Sequence, residues 1–209
     1  MNSVVVPNPA PIEWSVASRP MAGQTVTGDL HLVQYFKDGV LLAAVDGVGH
    51  GHEALAAAQA AVSVLEARAE EPVIFLVKSC HMALPKTRGV VMTLASLNWL
   101  EKTLTWIGVG NVEGRLLRAD SSASPPSESL LLRSGLVGYQ LPALHDSVLP
   151  IGSGDLLIFA TDGIHADFDR GVNLADSPQS IADRILNRCF KGTDDALVLV
   201  IRYLGRIRE

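Results

Sequence analysis

The stretch GVLLAAVDGVGHG (residues 39–51), running straight into HEALAAAQAAVSVLEARAEE (52–71), decides the fold class. Val40 to Val45 is an unbroken apolar run of strand length, which suits a strand covered on both faces. Asp46-Gly47 marks its end. The residues that follow are rich in Ala and Leu, lack Gly and Pro, and repeat apolar positions at three and four, so they predict a helix over His52–Glu71. Upstream, a strand is expected near Val16, and Leu30–Phe36 leads through the Asp38-Gly39 turn into VLLAAV, a hairpin pattern. Downstream, Pro72 suits the first position of a second helix reaching about Leu84. VVMTLASLNWL (90–100), TLTWIGVGN (103–111) and GRLLRAD (114–120) alternate or run apolar between turn signals and predict an antiparallel meander. Further strands are expected at LLLR (130–133), Asp155–Thr161 and Ala196–Leu204. An amphipathic helix is expected over 177–190, with Ser177 as N-cap and Pro178 behind it. SSASPPSES (121–129) is too polar and Pro-rich for a core and is expected to be a surface loop. Many antiparallel strands with about three helices define an α+β domain.

Composition narrows the function classes. The 209 residues, 48% hydrophobic and 19% charged, suit one compact domain over 1–209 with its core at about 12–204. The net charge of −5, with no long block of either sign, argues against a nucleic-acid grip. No apolar run approaches the roughly 20 residues needed to cross a bilayer. The start, MNSVVVPNPAPIEW, lacks a basic segment and is broken by prolines; it does not read as a secretory signal, and a cytoplasmic address is expected. Cys80 and Cys189 stand apart in apolar surroundings and are expected to be reduced core thiols.

Chemistry concentrates where apolar strands end. LLAAVDG delivers Asp46 with Gly47 behind it, and LLIFATDG delivers Asp162 with Gly163. Gly28-Asp29 precedes LHLV, and Asp194-Asp195 precedes ALVLVI. Any one Asp-Gly is an ordinary turn dipeptide. If all these ends converge, the carboxylates repel one another, and either their pKa values rise or cations enter. Oxygen-only ligands with carbonyl and water suit Mg²⁺ or Mn²⁺ better than Zn²⁺. The glycines of 47–51 lack the Lys-Ser/Thr that would complete a phosphate-binding P-loop. The pair His50 and His52 has no spaced third soft ligand and reads as a helix start.

In this order, GD (28–29), DGVGHG (46–51), GDLLIFATDG (154–163) and TDDALVLVIR (193–202) resemble the metal-dependent protein serine/threonine phosphatases (PPM family, type 2C). The DGxGHG form and the opening WSVASRPMAGQTVTGD are most similar to the SpoIIE and RsbU branch and its stressosome phosphatases. The resemblance implies a four-layer α-β-β-α sandwich of two antiparallel sheets flanked by helices, with a two-metal centre at one end. Carried over by residue, Asp46 would bridge two ions and the Gly47 carbonyl would bind one. Asp162 and Asp194 would hold the other, Asp29 would act through water, and Asp195 would sit beside the site. Hydrolysis of phosphoserine or phosphothreonine would proceed by a metal-activated water attacking phosphorus in line. The expected substrates are phosphorylated stressosome or anti-sigma-pathway proteins, RsbR- and RsbS-like, with the phosphatase acting as a monomer.

The sequence departs from the family in three places. A histidine two residues after the bridging aspartate is replaced by Val48, which leaves His50 as a proton-donor candidate beside a packing or capping role. The phosphate-holding arginine five residues before the first motif aspartate is Gln24 here, with Arg19 the nearest substitute or else a surface-packing residue. Leu197 replaces the usual hydroxyl after the paired aspartates. Two other readings stay open: a catalytically silent phosphatase-like module that binds a signalling partner, and a small-molecule phosphoesterase in a closed pocket.

Overall fold

The computed structural model describes residues 10–205. Two five-stranded antiparallel sheets stack face to face. One runs in the order β1 (Ile12–Arg19), β10 (Ala196–Tyr203), β9 (Leu156–Ala160), β6 (Glu113–Leu117), β7 (Ser127–Ser129). The other runs β2 (Asp29–Phe36), β3 (Gly39–Gly47), β4 (Val90–Asn98), β5 (Thr103–Val109), β8 (Ser147–Pro150). Helices α1 (His52–Ala67) and α2 (Val73–Ala83) cover the second sheet, and α3 (Pro178–Cys189) covers the first. This is the four-layer α-β-β-α sandwich.

Alternation along the strands builds the layers. In β3, Val40, Leu42 and Ala44 point into the core between the sheets, while Leu41, Ala43 and Val45 pack against α1 and α2, and all six are fully buried. In β10, Leu197, Leu199 and Ile201 face the inter-sheet core, and Ala196, Val198 and Val200 face α3. Strands buried on both faces read as continuous apolar runs, so these two were legible from sequence.

The helices follow their end signals. Ser177 Oγ accepts the Ser180 amide at 3.3 Å, with Pro178 opening α3. Pro72 is the N-cap of α2 rather than its first helical residue. The first helix stops at Ala67, short of the expected Glu71, and Arg68 to Glu71 turn back on themselves.

Two strand expectations need correction. LLLR (130–133) forms no strand: Leu130 donates to Gly114 O in one sheet and Arg133 to Gly108 O in the other, so this segment crosses between them. The strand lies just before it, at Ser127–Ser129, inside the polar stretch expected to be only loop. Ser147–Pro150 is a further edge strand, on β5. The meander holds through β2–β5, after which β6 joins the opposite sheet. Among the described residues, no helix is long and apolar enough to cross a membrane. Cys80 and Cys189 are both unpaired and buried, in different outer layers.

Candidate metal centre

The β2–β3 register sets Asp29 directly opposite Asp46. Opposed residues of an antiparallel pair present their side chains to the same face, where like charges destabilise the pairing. The alternation that sends Val33, Ala44 and Leu42 into the inter-sheet core sends both carboxylates to its open end. From the other sheet, Thr161 follows β9 and donates its hydroxyl to Asp29 Oδ2 at 2.7 Å, while its Oγ1 accepts the Leu197 amide at 2.8 Å. This buried hydroxyl joins the two sheets at the carboxylates.

Asp162, one residue on, accepts from the Asn111 amide at 2.7 Å. Its backbone carbonyl receives Lys191 Nζ at 2.6 Å. Asp195 is buried and accepts the Met21 amide at 2.7 Å and the Gly28 amide at 2.6 Å, which pins the β1–β2 connection to the start of β10. Its own amide is capped by Asp194 Oδ1 at 2.9 Å. Asp195 is thus occupied in positioning.

Backbone approaches make room for this. A Cβ on Gly47 would lie 2.0 Å from the Ala54 carbonyl oxygen, so only glycine lets the first turn of α1 close over the end of β3. A Cβ on Gly28 would lie 3.2 Å from the Gly47 carbonyl oxygen. A Cβ on Gly163 would strike the Asp195 carbonyl at 2.0 Å.

The carboxylates sense one another. Burial, followed by the charges of Asp29, Asp162, Asp194 and Asp195, pushes Asp46 up to about 9. Burial pushes Asp29 up to about 7; the Thr161 hydroxyl opposes this and the neighbouring aspartates add to it. Asp162 is raised by burial and Asp194, against the pull of Lys191 and Asn111. None of the ion pairs among the described residues involves these aspartates. No group of three or more His, Cys, Asp or Glu among the described residues is gathered closely enough to hold a metal ion. Chemically the donors fit a hard divalent cation: oxygens only, mutually repelling, with a backbone carbonyl beside them.

The catalytic candidates lie at the rim. His50 is exposed in the loop between β3 and α1. Arg19 ends β1 with its guanidinium 3.0 Å from Asn187 Oδ1 and 5.1 Å from the centre of the Phe190 ring, so α3 engages it. Sequence reasoning passed over Thr161, Asn111 and Arg88. Thr161 sits within the ATDG motif, but only the sheet-to-sheet register reveals its task. Arg88 pairs with Glu53 and lies against Gly49. Asp155 of the same GDLLIFATDG segment lies at the far end of β9, where it binds Arg118 at 3.0 Å.

A two-sheet sandwich of this kind is the fold of the metal-dependent serine/threonine (PPM) protein phosphatases. Residues 37–204 match the family described as Stage II sporulation protein E (SpoIIE), and the chain belongs to it. Phosphoserine phosphatase RsbX of Bacillus subtilis (strain 168) is 26% identical over 145 residues, covering 68% of this chain and 70% of that protein. RsbX solved in complex with magnesium superposes with a TM-score of 0.81 at 21% identity, covering 91% of this chain and 94% of that one. A chain solved in work on the bacterial stressosome as a system adapted to control secondary messenger signaling gives a TM-score of 0.82 at 27% identity. It covers 91% of this chain and 99% of its own length.

Proposed function

We propose that this chain removes phosphate from phosphoserine or phosphothreonine in partner proteins, using two divalent ions, Mn²⁺ or Mg²⁺. Asp46 and the Gly47 carbonyl, Asp162 and Asp194 would hold these ions, with Asp29 acting through water. One phosphatase domain over 1–209 carries this activity. The observation that supports it most is the Asp29–Asp46 pairing in register at the mouth of the sandwich, with aspartates of the opposite sheet adding their charge.

When bound, the ions supply an acidified water and neutralise charge on the phosphoryl oxygens. The chain's own residues do the rest. Thr161 fixes the Asp29 carboxylate, and Asn111 orients Asp162. Asp195 holds the β1–β2 connection by the Met21 and Gly28 amides, keeping Asp29 in register with Asp46. Exposed His50 donates a proton toward the leaving serine oxygen through solvent. Arg19 supports the rim from its seat on α3. The proposed substrates are phosphorylated stressosome or anti-sigma-pathway proteins; the similarity to a phosphoserine phosphatase and to a chain from work on the stressosome supports the first of these. The chain acts on them as a monomer.

The test is phosphate release from a phosphorylated RsbR- or RsbS-like partner, alongside p-nitrophenyl phosphate hydrolysis, with Mn²⁺, with chelator and with Asp46→Asn. Turnover that is lost in both controls supports the reading. A chain inert under either metal that still binds the partner tightly would instead be a silent binding module.

A further inference from the structure

We propose that Arg88 binds the substrate's phosphoryl group, an inference that rests on the phosphatase reading above. Three observations carry it. First, the backbone at Arg88 is locked to the exit of β3: the Gly89 carbonyl accepts the Val48 amide at 3.1 Å, and Val90 stands opposite Gly47 in the β3–β4 register. Thr87 fixes the same turn, with Oγ1 donating to Leu84 O at 2.8 Å and accepting the Gly89 amide at 3.0 Å. Second, the guanidinium reaches over the loop that follows Asp46, where a Cβ on Gly49 would lie 2.5 Å from Nη1. Gly49 has φ +91, so the loop suits glycine on backbone grounds and leaves that space to Arg88.

Third, what holds the guanidinium is easily exchanged. Its partner is Glu53 in the first turn of α1, and the two side chains are 48% and 71% exposed. An exposed ion pair contributes little, whereas a dianionic phosphate offers the guanidinium fork two charge-assisted bonds. Two other cations near the carboxylates are held by more than an exposed ion pair: Arg19 by Asn187 and Phe190, Lys191 by the Asp162 carbonyl. Gln24 has its Oε1 3.6 Å from where a Gly51 Cβ would stand, so it flanks the same loop with no charge to offer. Arg88 brings a guanidinium to that loop from the turn that leads into β4 instead, with Glu53 parking it between substrates.

The experiment measures binding of inorganic phosphate to the Mn²⁺-loaded full chain by calorimetry, with KM and kcat for p-nitrophenyl phosphate in parallel. Arg88→Ala is expected to weaken phosphate binding and raise KM by about tenfold, the loss of a charge-assisted contact, with an unchanged melting temperature. Arg88→Lys recovers only part, because it keeps the charge and loses the fork. Glu53→Gln frees the guanidinium and tightens phosphate binding by about two- to threefold. If wild-type chain turns over substrate and Arg88→Ala binds phosphate within twofold of it, the Arg88 assignment is overturned while the phosphatase reading stands. If wild-type chain shows no turnover under Mn²⁺ or Mg²⁺ yet binds phosphate through Arg88, the phosphatase reading fails and Arg88 stands as an anion-binding residue.

Discussion

Asp46 is the residue on which stability and activity pull in opposite directions. Buried and facing Asp29 across the strand pair, it is held protonated far above its ordinary range, which costs the metal-free chain stability at alkaline pH, through burial first and repulsion second. Asp46→Asn is therefore expected to reduce metal-dependent hydrolysis by at least about a hundredfold, while raising the melting temperature of chelator-treated protein at pH 8 by about 2–4 °C per kcal/mol of that cost removed. Calorimetry and a phosphate-release assay on one preparation check both; a variant that melts lower would show that Asp46 is stabilised where it sits. Thr161 makes a different case. Thr161→Val keeps the shape but strips a donor from Asp29 and an acceptor from the Leu197 amide, both buried. A cost of about 1–3 kcal/mol is expected in denaturant unfolding. Asp46 and Asp162 were legible because each ends an apolar strand; Thr161, Asn111 and Arg88 were not, because their neighbours come from distant parts of the chain.

Among the elements, β9 shows how one strand serves two purposes. At its C-terminal end it delivers Thr161 and Asp162 to the carboxylate mouth. At its N-terminal end Asp155 takes Arg118 at 3.0 Å and the amides of Ala119 and Gly152 at 2.9 Å each. Arg118 also binds Glu128 on β7 and the Pro150 carbonyl on β8. With Asp155 and Arg118 only 5% and 10% exposed, Asp155→Ala leaves a buried guanidinium short of a partner, and a loss of about 3 kcal/mol is expected in urea titration. Strong elements were readable in the sequence: β3 as a doubly buried run, β10 as an apolar strand, α3 by Ser177 and Pro178. The two short edge strands were not, because Ser127–Ser129 and Ser147–Pro150 are made by a neighbour's hydrogen bonds rather than by their own apolar pattern.

At the level of the whole molecule, the shifted aspartates tie stability to pH. Asp46 and Asp29 hold their protons more tightly folded than unfolded, with ordinary values of 3.8 raised to about 9 and about 7. Their stabilising contribution is complete below about pH 4 and is lost as pH rises through 7 and then 9. Metal-free protein should therefore be measurably less stable at pH 8 than at pH 5.5 in denaturant melts. Saturating Mn²⁺ should reverse that trend, adding about 2.7 kcal/mol at a hundredfold excess over its dissociation constant. A metal-free chain that is more stable at pH 8 would mean these carboxylates are ionised and satisfied without an ion.

The sandwich has two ends, and each gathers acids from more than one strand. At the far end evolution has wired in a permanent counter-charge, Arg118, that clasps both sheets and can never wash away. The near end gathers its aspartates with no such clasp among the described residues, and Lys191 tempers Asp162 there. On the proposed reading divalent ions would complete that end, so readiness would follow cation supply while the Arg118 end holds without it.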